Sequence, residues 1–548
     1  MSRNTQLHNN VISSPHWVNR ETSRLSRKQG SEKRKSGKVP AVATLAMGVI
    51  LAMNSVTAAD QASPVVKIDS GRVQGTIQGN ADAYLGIPFA AAPVGKLRWR
   101  APEAIAKWSG VRPTQAFGAS CPQPAGMISA ENQNEDCLFI NVWAPKDAAG
   151  KKLPVMVSIH GGAYFLGSGD LPDTSAFTRD GVILVSFNYR LGRLGWFAHP
   201  ALTRENPNGP LGSYGMMDQV AALQWVNRNI AAFGGDPSQV TIFGCSAGGT
   251  FTNMMMTSPH ARGLFSGAIA QSDPFAHPFP SLATAETRGN AYVESLGLAH
   301  ATVEQLRAIP VEKIVFSLQE SAQANSVPIV DGSYLVSRQP DAFAAGKAAK
   351  VPYINSTNSF EGSLAAMFGG RADGLVAASG AARESLLGLY PEQVRANAKL
   401  YDGLVMGDVE FVGPQRLAAR EVARHGSPTW AMSFDYLPVV MRAAGQPGSV
   451  HCADSAYVFE RPGDATNGQA PTDADWVTAR MMHGYYVNFA KYRNPNGEGL
   501  PDWPQFTVDD QTMLVVSDDK TQAQPNYNDA KLDILEAAAL EIMRHEKD

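Results

Sequence analysis

Cysteine is scarce in this chain, with four among 548 residues, too few for a small disulfide-stapled scaffold. A dominant charge is also missing: 47 Lys and Arg against 50 Asp and Glu leave a net −3, so no broad field recruits nucleic acid or an anionic membrane surface. Beyond residue 60 no apolar run approaches the length of a membrane span, and neither repeats nor low-complexity inserts interrupt the sequence. No His/Cys/Asp cluster has metal-ligand spacing, so no metal or organic cofactor is expected. With 44% hydrophobic and 18% charged residues the chain is globular and long enough to bury an ample core, and a small molecule is the default partner.

The amino terminus has a different composition. Arg20, Arg24, Arg27, Lys28, Lys33, Arg34, Lys35 and Lys38 precede the apolar run Val39 to Met53, and Ser55-Val56-Thr57-Ala58-Ala59 follows. The run is short and alanine-rich for a membrane anchor, and the small residues after it suit cleavage at Ala58 or Ala59, so the pattern predicts a signal peptide. Residues 1–59 are read as a removed leader and 60–548 as a single domain. An exported protein, periplasmic or secreted, is disulfide-permissive.

Two of the cysteines flank residues able to do chemistry: Cys245 directly precedes Ser246, and Cys452 directly follows His451. Gly244-Cys245-Ser246-Ala247-Gly248 is a G-x-S-x-G, the pattern of a nucleophile elbow that lifts a serine hydroxyl out of a sharp strand-to-helix turn. Val240 to Phe243 reads as the buried strand before it, and Gly249-Thr250 with Asn253 to Met256 as the start of the helix after it. The plain alternative is a glycine-rich turn with a solvated serine.

Around this motif, short apolar strands alternate with helical patterns. Pro154 to His160, Val182 to Phe187, Gly267 to Ala270, Val351 to Asn355 and Thr429 to Phe434 read as strands, and Met216 to Phe233 as a helix. That alternation implies an α/β fold with a mostly parallel, doubly wound sheet. The alanine-rich stretch from Glu361 to Gln415 reads as helical insertions that cap the site.

A serine needs a base, an acid to orient it and donors for the oxyanion. In the α/β-hydrolase fold the acid follows the serine and the histidine comes last. Glu361, after the Val351–Asn355 strand, is placed like the acid; a helix-N-terminal carboxylate is the structural alternative. Of eleven histidines, His451 is the best base, because the loop Ala444 to Val450 can deliver it over a sheet edge. His425, His483 and His545 sit in helical or terminal contexts that suit solvation or packing. His160-Gly161-Gly162-Ala163-Tyr164 ends a strand, and the amides of Gly162 and Ala163, with that of Ala247, are the expected oxyanion donors. His160 itself is read as holding that loop.

These residues resemble the type B carboxylesterases, the family that includes bacterial para-nitrobenzyl esterases and is related to cholinesterases. The resemblance runs from Tyr84-Leu85-Gly86-Ile87-Pro88-Phe89 and Pro93 to Arg98, through Glu135-Asp136-Cys137-Leu138-Phe139-Ile140-Asn141-Val142, Asn188 to Gly192, Gly234 to Pro237 and Asp408 to Phe411, to Trp503-Pro504. It implies a Ser246, Glu361 and His451 triad and a disulfide between Cys121 and Cys137. The family usually has Glu at position 245 and Gly at 452, and the missing glutamate puts a buried polar network in doubt. The pair is similar to that of tannases and feruloyl esterases, in which cysteines beside the catalytic Ser and His are joined. A Cys245–Cys452 bridge is expected, with two buried free thiols as the alternative. Ser272-Asp273 places an acid where the family usually has glycine near the acyl pocket, which suggests a polar acid portion in the substrate. The implied activity is hydrolysis of a small or medium-sized ester. Feruloyl or tannin-type esters and fumonisin-like polycarboxylate esters are narrower options, and a non-catalytic interaction protein is the rival from another class.

Overall fold

Two-residue turns decide the start of the sheet. Asp69-Ser70 joins β1 (Ala62–Ile68) to β2 (Gly71–Gln78), and Gly79-Asn80 joins β2 to β3 (Ala81–Pro88). Links this short form antiparallel hairpins, because a parallel crossover takes a dozen residues or more. The structure, a computed structural model, describes residues 62–125, 132–171, 173–207, 209–316, 320, 326–369 and 371–545; the leader read at 1–59 lies outside them.

β4 (Val111–Pro113) pairs with β2, and β5 (Phe139–Pro145) lies antiparallel between β3 and β7 (Ile183–Phe187). Thereafter the connections lengthen and the pairing turns parallel. β6 (Leu153–Ser158), β8 (Gly235–Cys245), β9 (Gly267–Gln271), β10 (Tyr353–Asn358), β11 (Thr429–Phe434) and β12 (Met513–Val516) join β7 in the spatial order β7-β6-β8-β9-β10-β11-β12. β13 (Thr521–Gln524) closes the far edge antiparallel.

The central strands read as unbroken apolar runs because both of their faces are covered. Val155, Val157 and Val185 pack on one face with Met216, Val220 and Leu223 of the helix Tyr214–Asn229. Their neighbours Met156 and Leu184, with Ile269, Ile354 and Trp430, face Met482, Tyr485 and Phe489 of the helix Asp473–Tyr492. Alternate residues thus serve opposite layers, as the two-residue period of a strand requires. The expected mostly parallel sheet is present, with antiparallel strands at both ends. The strand expected at Val351–Asn355 is shifted to Tyr353–Asn358, and Val240–Phe243 is the middle of the longer β8.

The stretch after β10 breaks into short helical pieces before Ala398–Gly407, a π-turn at Asp408–Val412 and the helix Gly413–Arg424. Leu375, Tyr401 and Val405 pack against Leu535 and Ala538 of the helix Asp529–His545, and buried Arg416 pairs with Asp529, Asp533 and Glu536 of the same helix. Among the described residues no helix is long and apolar enough to cross a membrane.

Candidate active site

β8 ends at Cys245, and the chain reverses through Ser246 into the helix Ala247–Thr257. Ser246 sits at φ 60°, ψ −127°, a conformation that costs an L-residue about 1–3 kcal/mol and persists only where its surroundings enforce it. Here its amide donates to the Gln271 carbonyl on β9 at 2.9 Å, and its own carbonyl accepts from Thr250 at 3.0 Å. A Cβ on either Gly244 or Gly248 would collide with the Ile159 carbonyl oxygen, so glycine alone lets the turn close against the end of β6.

The loop after Ile159 lies on the elbow. A side chain at Gly161 would come within 2.7 Å of the Cys245 carbonyl oxygen. Gly162, Ala163 and Tyr164 then take successive positive φ values of 115°, 50° and 71°. Among the described residues no acceptor takes the amide hydrogens of Gly162, Ala163 or Ala247. His160 stacks on Tyr189 with ring centroids 4.2 Å apart, and its Nδ1 lies 2.9 Å from the Gly161 carbonyl. Burial pushes its pKa down to about 4, so it is a neutral part of the loop's frame.

Glu361 opens a short helical turn just past β10, and His451 follows the loop that leads away from β11. The two meet: Glu361 Oε2 lies 2.6 Å from His451 Nδ1. The second oxygen, Oε1, accepts from Ser272 Oγ at 2.7 Å and from the Asn358 amide at 2.6 Å. His451 is anchored by its amide, which donates to Ser363 Oγ at 3.1 Å, and by Phe411 of the π-turn, edge-on to its ring at 5.0 Å. Because Nδ1–H points at a carboxylate, Nε2 carries the free lone pair, and it is buried with no partner among the described residues. Such an imidazole can take a proton from a hydroxyl presented to it.

Cys245 and Cys452 are joined, with Cα atoms 6.0 Å apart across 207 positions of sequence. A His451 ring nitrogen lies within 4.8 Å of both sulfurs. The bridge therefore fastens the residue before Ser246 to the residue after His451, and the free-thiol alternative falls. Cys121 and Cys137 are also bonded, 16 positions apart.

Sequence reasoning missed the groups behind this pair. Asp454, wholly buried, accepts from Gln271 Nε2 at 2.8 Å, Ser356 Oγ at 3.0 Å and Asn358 Nδ2 at 3.2 Å, and burial raises its pKa. Asn358 Nδ2 also donates to Ser272 Oγ at 3.0 Å. A buried polar network thus stands without a glutamate at 245. A polar residue three before Glu361 and an acid three after His451 were the available signal.

The expectation that Ser272 and Asp273 line a substrate pocket is corrected. Both are 0% exposed. Ser272 turns towards Glu361, while Asp273 accepts from Thr250 Oγ1 and Asn253 Nδ2, each at 2.6 Å, beneath the elbow helix. Elsewhere, His483 is a structural histidine held by the Val458 carbonyl and Asp180. Its proximity to Asp180 and Glu460 is that of a metal site, but Arg179 bonds both carboxylates.

A parallel sheet wound on both faces, with a serine on a strained strand-to-helix turn beside a glycine-rich loop, defines an α/β-hydrolase. Residues 62–535 match the carboxylesterase family. The chain belongs to that family and is an enzyme of the carboxylesterase type. It is 34% identical to the fumonisin B1 esterase of Sphingopyxis macrogoltabida, over 80% of this chain and 83% of that one. It is 32% identical to the para-nitrobenzyl esterase of Bacillus subtilis, over 83% and 95%. A solved PNB esterase superposes with a TM-score of 0.75 at 29% identity, covering 86% of this chain and 99% of its own.

Proposed function

We propose that this protein is an exported carboxylic-ester hydrolase working through Ser246, His451 and Glu361. His451 Nε2 takes the Ser246 proton as the hydroxyl oxygen attacks the ester carbonyl. The amides of Gly162, Ala163 and Ala247 receive the oxyanion, and the protonated imidazole passes its proton to the leaving alcohol. The acyl-enzyme is then hydrolysed by water, with His451 again the base. Glu361 holds Nδ1 protonated throughout and balances the imidazolium charge.

The observation that carries this reading is the His451 imidazole: Nδ1 is fixed on Glu361 at 2.6 Å, Nε2 is buried and unpartnered, and the Cys245–Cys452 bridge ties its loop to that of the serine. Export is supported by the leader pattern at 1–59 and by two disulfides in the described residues. The substrate is read as a small or medium-sized ester. Similarity to a fumonisin B1 esterase favours a polycarboxylate ester, and the bridged cysteine pair favours a feruloyl- or tannin-type aromatic ester.

Ser246→Ala is expected to abolish hydrolysis of para-nitrophenyl acetate while leaving the melting temperature within a few degrees of the parent. Undiminished turnover in that variant would overturn the assignment. A panel of short-acyl, aromatic and polycarboxylate esters separates the substrate options by kcat/KM.

A further inference from the structure

Three consecutive residues at the end of β9 point three ways. Gln271 reaches Asp454, Ser272 reaches Glu361, and Asp273 reaches the opposite flank of the elbow. The reaction just described uses nothing on that flank except backbone amides. Yet a wholly buried carboxyl lies there between two 2.6 Å bonds, from Thr250 Oγ1 and Asn253 Nδ2.

Thr250 is the pivot. Its hydroxyl lies 2.6 Å from Asp273 Oδ1 and 3.3 Å from the Ser246 carbonyl; with its one proton on the shorter contact, to the Asp273 carboxylate, the oxygen is left to accept from Tyr164. The two oxygens are 3.3 Å apart. A hydrogen-bonded chain therefore links the Tyr164 phenol through Thr250 to Asp273. Tyr164 immediately follows Ala163 and is itself held at positive φ, a strained state for a bulky residue. Its carbonyl accepts from Gly192 at 3.0 Å and Trp196 Nε1 at 2.9 Å, and its ring packs edge-on against Phe251 and Phe279. The phenol bond is the side chain's polar contact with the elbow helix.

We propose that Asp273 is a positioning residue that aims the Gly162 and Ala163 amides at the oxyanion, acting through Thr250 and Tyr164. The inference rests on the reading in which those amides receive the oxyanion. Oxyanion donors work only when they are already aimed, and a small misplacement costs much of their effect.

The test uses the mature enzyme and para-nitrophenyl acetate, with kcat and KM measured separately and folding followed by thermal melting. Asp273→Ala is expected to lower kcat roughly tenfold or more with KM within about twofold. Tyr164→Phe should do the same, and Asp273→Ala with Tyr164→Phe should be no slower than Asp273→Ala alone, because both break one chain. Asp273→Asn should recover most of kcat, since its carbonyl oxygen accepts from Thr250 and the Asn253 amide can turn over to meet its NH2. Unchanged kcat in Asp273→Ala, additive losses in the double variant, or an Asn variant no better than Ala would each overturn the proposal. If Asp273→Ala does not fold, Thr250→Val paired with Tyr164→Phe makes the same cycle, and additivity there overturns it equally. Ser246→Ala run alongside separates the two readings. Residual turnover in it refutes the serine mechanism, whereas an inactive Ser246→Ala beside a fully active Asp273→Ala refutes only the positioning role.

Discussion

The two flanks of Ser246 are held in opposite ways. On the His451 side both Glu361 oxygens are bonded, Asn358 ties Ser272 to Asp454, and a disulfide closes the two loops. On the oxyanion side three amides are left without acceptors among the described residues, and the loop is held by packing and by the chain from Tyr164 to Asp273. Under the proposed mechanism the difference follows from the work each flank does. A base must be locked in one tautomer, which calls for a saturated carboxylate, whereas donors for a charge that exists only in the transition state must stay unsatisfied at rest. Such donors can be positioned only from behind.

The sharpest way to break the contrast is Glu361→Gln. Oε1 receives two donors, Ser272 Oγ–H and the Asn358 amide, so the amide oxygen of a glutamine must occupy that place. Its NH2 is then turned onto His451 Nδ1. This forces the proton onto Nε2, the atom that accepts from Ser246 in the proposed mechanism. With geometry intact and the tautomer wrong, kcat for para-nitrophenyl acetate should fall about three to four orders of magnitude. A loss below tenfold would show that the carboxylate flank does not fix the tautomer.

The two disulfides sharpen the same comparison. Losing the bridge across 207 positions costs roughly 5 kcal/mol in the chain-entropy picture, and losing the one across 16 positions roughly 3, so both double-serine variants should melt earlier. Only the Cys245→Ser, Cys452→Ser pair should also lower kcat, roughly tenfold, because it alone joins the serine loop to the histidine loop. The Cys121→Ser, Cys137→Ser pair should keep kcat within about twofold. Equal kcat in the two variants would mean that the 245–452 bridge acts on stability alone.

What could be read before the structure divides along the same line. Ser246 and its glycines were legible because an elbow is local and its close approaches demand small residues in sequence. Glu361 and His451 were legible through chain order and through their positions after a strand and after a loop. The central strands were visible because burial on both faces makes them apolar runs; at the antiparallel front edge β2 is only partly buried, and Asp82 and Asn141 interrupt the apolar runs of β3 and β5. Ser272 and Asp273 were misplaced for a physical reason. At Ser272 φ turns to 46°, the strand's alternation stops there, and the partners that define both residues come from other elements. Thr250 and Asn253 are one helical turn apart on the elbow helix, so they converge on Asp273 only once that helix is laid over β9.

That buried carboxyl supplies the last and smallest effect, on stability. Burial pushes Asp273 from its ordinary 3.8 up to about 7. The folded protein therefore keeps this proton to a higher pH than the unfolded chain does, and stability falls as pH rises from about 4 to about 7, then levels off. The interval is worth at most roughly 4 kcal/mol. Asparagine does not titrate, so Asp273→Asn should melt later than the parent at pH 8, with the gap closing as pH falls towards 4. Asp454 on the other flank is also wholly buried and raised by burial, so the Asn variant isolates the part of the pH dependence that Asp273 carries. If the Asn variant shows the same pH dependence of melting as the parent, another group, such as the equally buried Asp454, carries it.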